Sequence, residues 1–158
     1  MRRDLGDGFE LDDDAARVDV RAVHRFLAEE SYWARGRAYE TQARLVSESA
    51  RVVGLYRDGR QVGFCRAVTD GVSAVYLADV YVLPECRGRG LGEELVREMI
   101  ERGPYAARTW LLHTQDMHPL YRKLGFGDPS PKVMERLAPA PADGQPASRS
   151  TSHASDSG

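Results

Sequence analysis

Three β-rich runs separated by two Asp-Gly pairs constrain this chain more than any other feature. Val52-Val53-Gly54-Leu55-Tyr56 is followed by Asp58-Gly59, Val62 to Val68 is followed by Asp70-Gly71, and Val75 to Val82 closes the series. Both central residues of a type I′ turn need positive φ, which Asp and Gly supply, so each pair predicts a hairpin. The runs then form an antiparallel meander. Its middle strand is predicted to carry Val62, Phe64 and Val68 on one face and Gly63, Cys65 and Ala67 on the other, where small side chains admit a helix closely.

Directly after the third run stands Arg87-Gly88-Arg89-Gly90-Leu91-Gly92, and there the period becomes helical, with Leu91, Leu95, Val96, Met99 and Ile100 on one side. Glu98 and Arg102 are predicted to pair across one turn of the other side, and Gly103-Pro104 stops the helix. A glycine loop folds tightly and presents its N–H groups to one point, and the positive end of the following helix adds to them. Such a loop suits phosphate, and flanking guanidinium groups pair well with phosphate oxygens. The plainer reading is a turn with solvated arginines. A Walker A loop is excluded, because Gly92 is followed by Glu93 rather than Lys and Ser or Thr. A dinucleotide fingerprint fails on glycine spacing and on the antiparallel context.

Elsewhere, Phe9 to Leu11 is predicted as a short first strand, with Asp12-Asp13-Asp14 as a solvated turn that lacks the spacing of a calcium loop. Asp19 is placed to cap a helix whose buried stripe is Val20, Val23, Phe26 and Leu27. It breaks near Ser31-Tyr32-Trp33, and a second helix runs from about Arg37 to Ser47. Thr109 to His113 is a further strand, and a short helix capped by Asp116 follows, with Pro119 in its first turn and Gly125 past its end. Lys132 to Leu137 is predicted as a last strand. One domain over 1–137 and a disordered Pro, Ala, Ser and Gly-rich tail over 138–158 complete the organisation.

A net charge of -2 gives no global attraction to nucleic acid. Cys65 and Cys86 lack metal-ligand spacing, the first residues lack the apolar core of a signal peptide, and no apolar run is long enough to span a bilayer. The expectation is a cytoplasmic protein with no metal, no nucleic-acid partner and no membrane segment.

The pattern Arg87-x-x-Gly90-x-Gly92 after Leu77 to Val82, with Tyr121-Arg122-Lys123-Leu124-Gly125-Phe126 downstream, closely resembles the GNAT superfamily of acyl-CoA-dependent N-acetyltransferases. The resemblance spans roughly Val52 to Phe126, and "SYWARGR" at Ser31 to Arg37 is similar to a bacterial subgroup of unassigned substrate. It implies an α+β three-layer fold: a mixed, mostly antiparallel sheet with a bulged central strand and helices on both faces. It also implies that Val80, Tyr81 and Val82 lie along the pantetheine arm of acetyl-CoA, with the Val82 amide polarising the thioester carbonyl. The N–H groups of Gly88, Arg89, Gly90, Leu91, Gly92 and Glu93 would hold the pyrophosphate, with Arg87 beside them. Tyr121 matches the tyrosine that protonates the departing thiolate; packing under the last helix is its other reading. Cys86 stands where relatives usually carry an aromatic residue, and Asp116 replaces their asparagine only approximately.

Direct attack needs a deprotonated amine. Asp79 is the first candidate base, since an isolated carboxylate among apolar neighbours has a raised pKa; a pairing with Arg66 across the hairpin is the equal alternative. His113 and His118 come next. Tyr32 and Trp33 border the acceptor pocket in this superfamily and either form an apolar wall there or cap the core. Glu29 and Glu30 read better as a solvated helix end than as an amine-attracting pair. The implied activity is transfer of acetyl from acetyl-CoA to a primary amine of a small molecule or peptide. The alternative is a non-catalytic acyl-CoA-binding or sensory domain, and either is compatible with a homodimer.

Overall fold

In the computed structural model, which describes residues 1–139, Asp58 and Gly59 have φ of 49° and 81° and close the first hairpin of the meander as their turn chemistry requires. The strands are β1 (Arg2–Gly6), β2 (Phe9–Asp12), β3 (Arg51–Arg57), β4 (Arg60–Thr69), β5 (Val75–Val82) and β6 (Trp110–Leu111). They form one sheet in chain order, antiparallel throughout except for the last pair, in which β6 runs parallel to β5. The helices are α1 (Val20–Glu30), α2 (Tyr39–Ser47), α3 (Leu91–Glu101) and α4 (His118–Lys123). The described chain divides into two compact units, Met1–His113, which holds the whole sheet and α1 to α3, and the segment from Thr114 onward with α4. The boundary between these units falls inside the predicted domain over 1–137, and of the predicted tail only residues 138 and 139 are among the described residues.

Local chemistry accounts for the helices of the first unit. The Asp19 carboxylate accepts from the Ala22 N–H at 3.0 Å and starts α1, and Val23, Phe26 and Leu27 are its buried stripe. Together with Ala34, Val46, Val52, Phe64 and Tyr81 they make the core on one face of the sheet. On the opposite face α3 packs over β3, β4 and β5, and Cys65 there lies close enough for its thiol to reach the Leu95 carbonyl at 4.0 Å. Gly63 is needed on that strand: a Cβ would sit 2.9 Å from the Tyr81 carbonyl oxygen of β5.

Several expectations are corrected. Asp70-Gly71 is not a two-residue turn. Only Gly71 has positive φ, and the Asp70 carboxylate instead folds a longer loop by accepting from the Val72 and Ser73 amides at 2.8 Å and from the Ser73 hydroxyl. A third Asp-Gly pair, Asp7-Gly8, with φ of 52° and 78°, turns an unpredicted hairpin between β1 and β2. The strand β1 reads Arg-Arg-Asp-Leu-Gly and has no buried residue, so it lacks the apolar alternation that identifies strands. Lys132 to Leu137 forms no strand. Two of the three aspartates are held in ion pairs, Asp12 with Arg17 at 2.5 Å and Asp13 with Arg51 at 3.0 Å, while exposed Asp14 accepts from the Ala16 amide at 2.9 Å.

Glu98 does not pair with Arg102. It is buried and is held by Arg3 at 2.9 Å and by Arg51 at 3.5 Å. Arg51 also donates to the carbonyls of Glu98 at 2.9 Å and Met99 at 3.1 Å, supplying the last turn of α3 with partners that the helix itself cannot. A helical wheel places Glu98 beside Arg102, but the sheet brings two arginines from other strands to its carboxylate.

Candidate active site

The site begins with one extra residue in β5. Phe64 pairs with Tyr81 and Arg66 with Ala78, so Asp79 and Val80 together face the single residue Cys65. Asp79 takes φ of 51°, a left-handed conformation unusual for a residue with a side chain. The pairing of β5 with β6 ends at Tyr76 with Leu111, so from Leu77 to Val82 the outer edge of β5 has no strand partner among the described residues. Leu83 donates its N–H to Val62 at 2.8 Å, and strand alternation then turns the backbone groups of Val82 toward that open edge. The Val82 carbonyl accepts from Arg87 Nε at 2.9 Å.

β5 leads directly into the glycine loop. Gly88 and Gly90 both have φ of 75°, Gly90 is the N-cap of α3, and a Cβ added to either would meet nothing within 4 Å. The loop therefore has free space before it as well as the backbone that glycine permits. Arg87 is anchored to the strand, Arg89 is exposed, Leu91 is buried under the first turn and Glu93 pairs with Arg97 at 2.7 Å. Cys86 is buried in the short helical turn ahead of the loop. The side chain of Tyr81 points into the core and stacks on Phe26, centroids 4.2 Å apart, and by the same alternation its backbone groups face β4. Burial pushes its hydroxyl pKa up.

Asp79 corrects the expectation of a raised pKa. Its Oδ2 accepts from Arg66 Nε at 2.7 Å and from Arg37 Nη1 at 3.0 Å, and its Oδ1 accepts from Trp33 Nε1 at 3.1 Å. Burial by itself would raise the carboxyl, but the charges and hydrogen bonds of Arg66 and Arg37 outweigh it and hold the pKa below the usual aspartate value. The pairing with Arg66 was foreseeable across the hairpin. The contact from Arg37 was not foreseen, although Arg37 ends the same "SYWARGR" stretch that holds Tyr32 and Trp33.

Tyr32 and Trp33 lie in the loop after α1, each 42 % exposed, with rings edge to face at 4.9 Å. Glu29 and Glu30 are exposed at the helix end, and a cavity of about 450 Å³ opens beside α1, with Phe26, Tyr56, Gln61, Tyr81 and Leu83 among its walls. His113, on the strand side, hydrogen bonds Tyr76 through Nδ1 at 2.8 Å.

In the second unit Tyr121 is buried within α4, with Phe126 edge-on at 5.7 Å. Asp116 does not cap that helix: Met117 is the N-cap residue, and its N–H is taken by the Thr114 hydroxyl at 3.0 Å. His118 is the exposed first residue of α4. Among the described residues no cluster of three His, Cys, Asp or Glu side chains could hold a metal ion, and no helix is long and apolar enough to cross a membrane.

Comparison with known proteins bears on this geometry. The family model described as the acetyltransferase (GNAT) domain matches residues 48–127. A Gibberella zeae protein described as an acetyltransferase is 31% identical over 136 residues, covering 73% of this chain and 77% of the relative. Serotonin N-acetyltransferase 2, chloroplastic, of Oryza sativa is 32% identical over 126 residues, covering 75% of this chain and 62% of that protein. The crystal structure of a GNAT-family acetyltransferase from Xanthomonas campestris superposes with a TM-score of 0.77 at 34% identity, covering 83% of this chain and 94% of that one.

Proposed function

This chain belongs to the GNAT family of acetyltransferases, and we propose that it moves an acetyl group from acetyl-CoA to a primary amine of a small molecule or peptide by direct attack in a ternary complex. One observation carries the reading: the unpaired edge of β5 from Leu77 to Val82 runs straight into the positive-φ glycine loop at the start of α3. The edge suits the amides of a pantetheine arm, which take the place of the missing strand. The loop amides of Gly88 to Glu93 suit a pyrophosphate.

In this mechanism the amine nitrogen attacks the thioester carbon, and the carbonyl oxygen that becomes negative accepts the N–H of Val82. Collapse breaks the carbon–sulfur bond. Tyr121 gives its hydroxyl proton to the departing thiolate, which leaves as free CoA, and the surplus proton on the newly bonded nitrogen passes through water back to the tyrosinate, leaving the neutral amide. The amine must arrive unprotonated or lose its proton to water, because the Asp79 carboxylate is already committed to two guanidinium groups and an indole. Half-exposed Tyr32 and Trp33 offer the acceptor an apolar wall. The rice relative is named for serotonin, an amine on an aromatic body, which fits such a wall.

Incubation with acetyl-CoA and a broad amine panel, read by mass spectrometry, tests the proposal. Acetylated product from at least one amine is expected. Binding of acetyl-CoA with no product from any amine would favour the sensory reading instead.

A further inference from the structure

We propose that Asp79 is a positioning residue: its carboxylate latches Trp33 of the acceptor wall, and the segment that carries it, to the bulge of β5. The role in transfer rests on the acetyltransferase reading above, whereas the latch itself is a property of the fold. Three donors converge on this one side chain from two stretches of chain: Trp33 and Arg37 in the loop between α1 and α2, and Arg66 on β4. Asp79 lies at the point where the strand holds its extra residue in a left-handed conformation, which is strained for a residue with a side chain and persists only where surrounding contacts fix it.

The segment held by the latch is itself closed at both ends. The Ser31 hydroxyl donates to the Leu27 carbonyl at 2.6 Å and accepts from the Ala34 N–H at 3.0 Å. The Gly36 amide returns to the Ala28 carbonyl at 3.0 Å, and Arg37 Nη1 also donates to the buried Gln42 side chain at 2.8 Å. Among the apolar side chains of this closed loop Ala34 is buried and the rings of Tyr32 and Trp33 are half-exposed, and the indole N–H of Trp33 is held by Asp79. A large, rigid, half-exposed ring tied by its one polar atom to the strand that would polarise the thioester can set where an acceptor rests relative to the reacting carbon. A general base in the same place would need an oxygen turned to the amine. Here both oxygens already accept from groups that are not substrate.

Two variants separate these roles. Asp79→Asn keeps the shape and removes the charge, and Trp33→Phe removes the indole N–H together with part of the ring while leaving the carboxylate and both arginines in place. The two indole N–H resonances of the protein belong to Trp33 and Trp110, and the one missing in Trp33→Phe identifies Trp33. That resonance is expected to shift in Asp79→Asn. With an accepted amine, both variants are expected to raise the acceptor KM about tenfold, with kcat within about threefold of the parent and the acidic limb of the pH–rate profile unmoved. An unmoved Trp33 resonance overturns the latch. Loss of the acidic limb and of kcat in Asp79→Asn, with Trp33→Phe behaving like the parent, makes Asp79 a base and overturns the positioning role. If Asp79→Asn fails to fold, an unchanged KM in Trp33→Phe is sufficient to reject the proposal. If the parent acetylates no amine, the acetyltransferase reading fails while the resonance still decides the latch.

Discussion

Arg66 Nε donates to Asp79 Oδ2 across 2.7 Å, joining β4 to the bulged residue of β5 with both side chains withdrawn from solvent. The contact converts an isolated carboxylate among apolar neighbours into half of a buried ion pair, reinforced by Arg37. Its direct consequence concerns pH. The native pKa of Asp79 lies below that of the unfolded chain, so the stabilisation it brings is complete above the ordinary aspartate value and is lost as the pH falls through the lower native one. Parent and Asp79→Asn should therefore differ in denaturant midpoint at neutral pH. The difference should shrink only below about pH 4, the unfolded-state aspartate range. A gap that closes near neutrality would mean that another group carries it.

Acetyl-CoA is expected to raise the melting temperature, since a ligand selective for the native state stabilises it by mass action. Gly90→Glu should abolish that shift by placing bulk and negative charge in the space before the loop. Because Gly90 has φ of 75°, any side chain there also strains the backbone, so Gly90→Asn, which tolerates that region better, is the control. The asparagine variant should retain part of the shift. Calorimetric titration of both with acetyl-CoA gives the same comparison in affinity.

Tyr121→Phe should leave acetyl-CoA affinity nearly unchanged, because the ring and its contact with Phe126 remain. Turnover of an accepted amine should fall by about ten- to a thousandfold, the range for loss of one positioned acid. Steady-state kinetics beside a binding titration separates the two quantities. Parent-like turnover would assign protonation of the thiolate to another group or to solvent.

Glu98→Ala should be strongly destabilising, because it leaves the buried guanidinium of Arg51 without one carboxylate and Arg3 without its link to α3. Removal of one partner of a buried pair costs about 3–5 kcal/mol. Glu98→Leu combined with Arg51→Met should cost less than the sum of the single changes, since the pair leaves together. Urea denaturation of the parent, Glu98→Ala, the two single changes and their combination tests both statements.

The sequence by itself determined the features whose causes are local. Asp58-Gly59 sets its hairpin through the φ values that those two residues tolerate, Asp19 starts α1 with its own carboxylate, and the spacing of Leu91, Leu95, Val96, Met99 and Ile100 gives α3 its buried side. The glycine loop is legible for the same reason, as backbone freedom and helix polarity act over a few residues. Tertiary structure decided the fate of the charges. Asp79 meets Trp33 and Arg37 across more than forty residues, and Glu98 meets Arg51 and Arg3 across a still longer separation. It also made a strand of Arg2–Gly6, which carries no apolar pattern but pairs along β2 and ties to α3 through Arg3. Burial reverses what an ionisable side chain does, and only the folded sheet fixes which distant guanidinium, if any, arrives to compensate it.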